Sequence, residues 1–139
     1  MKKFKALLFL PLAVLCLMVY SGCLLLGTVE VNKWSFKPQQ ASGTEIALGS
    51  SMTFHFSVTN YGDERELRAS TFNVVCVIDE NEYNAEAIYL DSLKSSVNFL
   101  KGESRSVELH VVTTSSFSSS SKILIKYDGK TLVEYRLTH

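Results

Sequence analysis

Met52 to Asn60 reads MTFHFSVTN, with Phe54, Phe56 and Val58 at every second position and Thr53, His55, Ser57 and Thr59 between them. Successive side chains of an extended backbone point to opposite faces, so this pattern is a strand with one face in a core and the other in water. The following NYGD, Asn60 to Asp63, reads as a turn, with Asn60 and Gly62 expected to supply the positive φ of a tight reversal.

Alternation resumes on both sides of this strand. Downstream, Phe72, Val74, Cys76 and Ile78 share one face, while Val75 and Val77 on the other predict a segment covered on both sides for part of its length. Asp79, Glu80 and Asn81 turn the chain, with Asn81 expected at positive φ, and Tyr83 restarts it. Residues 84–96 fit a helical turn or a short edge strand equally well. Phe99 and Leu100 lead through Lys101-Gly102-Glu103 into the alternation of Val107, Leu109 and Val111. Thr113 to Ser121, six serines and two threonines around Phe117, reads as a loop. Ile123, Ile125 and Tyr127 then alternate up to Asp128-Gly129, a hairpin signal because a type I′ turn needs positive φ at both central residues. Val133, Tyr135 and Leu137 share a face of the return strand. Upstream, Thr28 to Phe36 reads as a first strand, and Pro38 to Thr44 as a loop.

About seven short strands with turns every eight to twelve residues predict an immunoglobulin-like antiparallel β-sandwich. A small barrel shares the same alternation if the sheet closes. Residues 28–139 suit one domain, since domains run about 100–150 residues.

The first 27 residues follow a different logic. Lys2, Lys3 and Lys5 precede an apolar run from Ala6 to Leu26, interrupted by Pro11. A basic start and an apolar middle are the layout of an export signal, and the lysines hold their end in the cytoplasm. Ser21-Gly22-Cys23 resembles the lipobox of bacterial lipoproteins, in which small residues precede a cysteine that takes a diacylglyceryl thioether. Residues 1–22 are then a lipoprotein-type signal, Cys23 the lipidated residue and 23–27 a tether. Tyr20 stands where the lipobox usually has a branched aliphatic, and Leu24 to Leu26 prolong the apolar run, so an uncleaved anchor helix of about 20 residues is the competing reading. Either one places the domain outside the cytoplasm on a membrane; plain secretion, the third reading, would leave it free there.

The 14 basic and 14 acidic side chains balance only while the leader is counted. Without its three lysines, 11 basic groups face 14 acidic ones. Such a domain lacks the positive surface that phosphate backbones require, so no nucleic-acid partner is expected. Cys16 lies within the apolar run and Cys23 is assigned to lipid, which leaves Cys76 unable to form an internal disulfide and expected as an apolar filler of the core.

The order of motifs resembles a known family. FSVTNYGDERELRASTFNVVCVIDENEY, then FLKGESRSVELHVV and KILIKYDGK, are similar to the telokin-like immunoglobulin domain of unknown function found in many bacterial lipoproteins. The matching positions are Thr59-Asn60, Gly62, Phe72, Asp79, Tyr83, Gly102-Glu103 and Tyr127, across about residues 50–128. The resemblance implies a fold and an address. It implies no activity, because the family carries no agreed catalytic residues.

Candidate chemistry is sparse. Asp79, Glu80 and Glu82 crowd one turn and Asp63, Glu64 and Glu66 another, without the spacing of a built calcium loop. His55 and His110 lack the further ligands zinc needs, and the serines near Ser118 lack a nucleophile elbow. No catalytic residue, metal or cofactor is assigned. Tyr61, Tyr89 and Phe117, in turn or loop positions, are the expected contact residues, since aromatics at the ends of a sandwich serve as binding anchors. The expected function is therefore a membrane-tethered interaction module for an envelope protein or glycan, not an enzyme. The rival is a metal-binding or enzymatic protein whose site assembles from residues distant in sequence.

Overall fold

The structure, a computed structural model, describes residues 27–139. The leader, Cys23 and the tether up to residue 26 lie outside the described residues. Among the described residues no helix is long and apolar enough to cross a membrane.

The described chain is all-β. The strands are β1 (Val29–Val31), β2 (Trp34–Pro38), β3 (Glu45–Ala47), β4 (Ser51–Asn60), β5 (Arg65–Arg68), β6 (Phe72–Ile78), β7 (Asn81–Asn84), β8 (Ala87–Leu90), β9 (Ser96–Phe99), β10 (Ser104–Val112), β11 (Lys122–Tyr127) and β12 (Lys130–Thr138). One five-stranded sheet runs β1-β2-β4-β10-β8 and a second β3-β12-β11-β6-β7, with β5 and β9 paired separately. Neighbours are antiparallel except β3 and β12, which are parallel. Each five-stranded sheet ends in two edge strands, so neither closes into a barrel.

The two sheets meet through aromatic rings. Phe36 of β2 lies 4.8 Å from Tyr127 and 5.8 Å from Phe72 between ring centroids, and Phe54 of β4 stacks on Tyr135 at 5.6 Å. The alternating positions fill this interior as expected: Phe54, Phe56, Val58, Val74, Cys76, Leu109, Val111, Ile123 and Ile125 are buried. Among the described residues no disulfide links the sheets, since Cys76 is a free cysteine. Desolvation pushes its thiol above the ordinary range, in keeping with a filler.

Several sequence expectations need correction. Thr28 to Phe36 is a hairpin, not one strand: Asn32 (φ 47°) and Lys33 (φ 63°) make a two-residue turn between β1 and β2. The turn after Ile78 uses Asp79 and Glu80 at positive φ, while Asn81 belongs to β7 and its Nδ2 donates to the Asp79 carbonyl. Residues 87–90, left open between helix and strand, form an edge strand. Leu132 is buried beside Val133 because a bulge shifts the β11–β12 register at Ile125/Lys126, and the extra residue stays on the core side. Val75 is buried, as expected for its doubly apolar strand, although it lies outside the core cluster and its register beside Leu124 and Asn84 places it on the outer face of its sheet. There Lys126 Nζ bonds Glu82 at 2.6 Å and Lys122 pairs with Glu134 at 2.6 Å. The long stems of such lysines cover apolar surface while their charges stay in water.

Candidate functional site

One end of the sheets gathers the β1–β2 turn, residues 61–64, residues 100–103 and the Asp128-Gly129 turn. Asn60 organises it. The inward period of Phe54, Phe56 and Val58 continues to this residue, so a polar side chain enters the core and is fully buried. Its Nδ2 donates to the carbonyls of Asp63 (2.9 Å) and Leu100 (3.2 Å), and its Oδ1 accepts from Gly62 N–H (3.0 Å) and Arg65 Nε (2.9 Å). The Asn60 backbone bonds the Gly102 N–H and the Glu103 carbonyl. One residue thus fixes two loops. Neither Asn60 nor Gly62 adopts the positive φ expected of them. Gly62 serves by its size instead, since a Cβ there would press to 3.3 Å from the Arg65 guanidinium.

Arg65 extends the assembly. Its guanidinium sits 4.2 Å from the Trp34 ring centroid, and Trp34 meets Phe99 edge-on at 5.2 Å. A cation over an indole face is attracted by the ring quadrupole, which favours holding Arg65 here although its Nη2 is buried without a hydrogen-bond partner. Asn32 Nδ2 bonds Asp128 Oδ2 and joins the turns of the two sheets. Over this braced base Tyr61 is 61% exposed and Leu100 57%, while most large apolar groups are buried. Tyr61 also borders a surface hollow of about 390 Å³, together with Trp34, Val31 and Lys33. Gly27 lies elsewhere, against Pro38 at the far end of β2 from Trp34.

The three expected contact aromatics do not come together. Tyr61 lies at the end just described. Tyr89 is half-buried on the outer face of the first sheet, opposite His110. Phe117 is a correction: the serine-rich stretch folds into a 3-10 turn, Ser115–Ser119, that turns its only apolar side chain fully inward. It seals the core and cannot present a contact surface. Ser120, beside it, is also buried, and its Oγ lies 3.2 Å from Val77 N and 2.8 Å from the Lys122 carbonyl, so that it extends the β6–β11 ladder.

His55 and His110 lie on adjacent strands but out of register, His55 facing Glu108 and His110 facing Thr53. Among the described residues no group of three or more His, Cys, Asp or Glu is placed to hold a metal ion. Tyr135 is the strongest electrostatic departure: burial pushes its phenol up to about 12, and its hydroxyl donates to the Gln40 carbonyl at 2.8 Å. A phenol that stays protonated when folded and ionises when unfolded stabilises the fold fully below pH ~10, and that stabilisation is lost as pH rises toward about 12. Unfolding midpoints should therefore fall between pH 10 and 12, and Tyr135→Phe should flatten that fall. An equal alkaline loss in the variant would mean that another group governs it.

No protein-family model matches this chain, and no curated protein matches it.

Proposed function

We propose that this chain is a membrane-tethered, extracytoplasmic immunoglobulin-like module that works by contact, with the end around Tyr61 and Leu100 as its binding tip. The observation that carries the reading is the pairing of those two exposed apolar side chains with a hydrogen-bonded polar base, at the end of the sheets away from Gly27. Exposed aromatics over a braced scaffold lose little entropy on binding, which is what an anchor residue needs.

Support for the immunoglobulin-like assignment comes from strand order. Strands β2, β4, β10 and β8 follow the order A-B-E-D, and β12, β11 and β6 the order G-F-C. The likeness of residues 50–128 to the telokin-like lipoprotein domain points the same way. Two features depart from antibody domains: among the described residues there is no inter-sheet disulfide, and the buried tryptophan stands on β2 instead of β6. The tether rests on the Lys-rich start, the apolar run and Ser21-Gly22-Cys23.

Two measurements test this. Metabolic labelling with radiolabelled palmitate should mark the wild type and not Cys23→Ser; an unlabelled protein that still fractionates with membranes would refute the lipid anchor. Affinity capture from intact envelopes should recover a specific partner with the full chain and lose it by about tenfold or more with Tyr61→Ser, the cost of removing an interface anchor. Unchanged recovery by that variant, at an unchanged melting temperature, would move the contact away from this end.

A further inference from the structure

The outer face of the first sheet carries a second feature, independent of the binding tip. Cross-strand register sets its side chains in rows: Ser35, Thr59 and Ser104 in one, Lys37, Ser57 and Ser106 in the next, then His55 and Glu108, then Thr53, His110 and Tyr89. Two of these rows satisfy themselves. Thr59 Oγ1 and Ser104 Oγ bond each other at 2.6 Å, and Thr53 Oγ1 bonds His110 Nδ1 at 3.3 Å.

The second row is different. Ser57 and Ser106, both short, floor a hollow of about 520 Å³ lined also by Lys37, Pro38, Gln39, His55 and Phe56. Among the described residues, the side chains of Lys37, Gln39, His55, Ser57 and Ser106 take no hydrogen bond from the protein, and the ion pairs that engage other basic groups do not include Lys37. Five polar groups therefore face one hollow with their hydrogen-bonding capacity open. Lys37 is cationic, and the carboxylate across from His55, Glu108, does not line the hollow.

We propose that this hollow binds an acidic saccharide, with the ammonium of Lys37 taking the carboxylate and the serine, glutamine and histidine side chains taking ring hydroxyls. Charge complementarity selects an anion, and the hydroxyl floor selects a ligand whose own surface is hydroxyl-rich. An acidic polypeptide shares the charge but lacks the ring hydroxyls, so its binding is the competing outcome that the test separates. The size lies in the range of small-ligand sites, roughly 300–1,000 Å³. Tyr89, on the same face, supplies a partly exposed ring for a neighbouring sugar.

The test is isothermal titration calorimetry on the detergent-solubilised full chain. The probes are a hexasaccharide of alternating glucuronate and N-acetylglucosamine, its carboxyl-reduced counterpart, and hexaglutamate. The acidic hexasaccharide should bind at least tenfold more tightly than the reduced form, and hexaglutamate should give no saturable heat. Lys37→Gln should abolish the preference for the acidic form, and Ser106→Leu, which fills the floor, should abolish binding of both saccharides, with melting temperatures unchanged. Tyr61→Ser should leave binding intact, which separates failure here from failure of the tip. No saturable heat from the acidic hexasaccharide at millimolar concentration, equal affinity for the reduced form, or equal binding of hexaglutamate would overturn the proposal.

Discussion

Asn60→Ala is expected to lower the unfolding free energy by about 4 kcal/mol. The side chain is fully buried, and its loss strands the Gly62 N–H, the Arg65 Nε and the carbonyls of Asp63 and Leu100. A buried group left without its partner costs about 1–3 kcal/mol, and only those nearest the surface recover water. Asn60→Asp is the informative companion. It keeps the acceptor for Gly62 and Arg65 and replaces the donor with a carboxylate oxygen facing two carbonyls, so it should recover only part of the loss. Urea titration reads both variants, with an unchanged denaturant slope showing that stability and not compactness has moved. A loss below about 1 kcal/mol for Asn60→Ala would mean that water replaces the amide and that the tip is not braced by it.

Phe36→Ala should cost a similar amount, about 3–5 kcal/mol, by a different mechanism. Phe36 is fully buried and packs against Trp34, Phe56, Phe72 and Tyr127, which belong to both sheets. Truncation leaves a cavity where these rings converge, and no disulfide among the described residues limits the consequence. Against a total stability of about 5–15 kcal/mol, either variant brings the domain near its unfolding threshold. Phe36→Leu, which leaves a much smaller cavity, should cost about 1.5 kcal/mol or less, and equal losses for the two would show that ring geometry and not volume governs the site. The Asn60 and Phe36 effects should not add, because Trp34 touches Phe36 directly and Asn60 through Arg65.

The physical reading of the sequence succeeded where a side chain's direction follows from local backbone geometry. The alternating sets around Phe56, Leu109, Ile125 and Tyr135 are all buried, as are Phe72, Val74 and Cys76, while Ile78 at the end of β6 is only half-buried; Asp128-Gly129 makes its two-residue turn with both residues at positive φ. It failed where distant segments decide. Asn32-Lys33 and Asp79-Glu80 adopt turns that their own preferences do not demand, because the strands on either side pair. Asn60 was legible in principle, since it falls on the inward period of its strand, but its usual place in turns masked that signal. Phe117, set among serines, gave no local sign that the 3-10 turn would carry it into the core.

What the chain's order of residues determined alone is an extended, two-faced polypeptide after an apolar N-terminal stretch headed by lysines, because alternation and hydropathy act over neighbouring positions. What only the tertiary structure decided is which polar groups meet. The Asn60 hub, the Arg65–Trp34 stack and the open row of Lys37, Ser57 and Ser106 all join residues from strands far apart in sequence. Strand pairing sets those neighbours, and pairing is chosen by the whole core at once, so no local pattern records it.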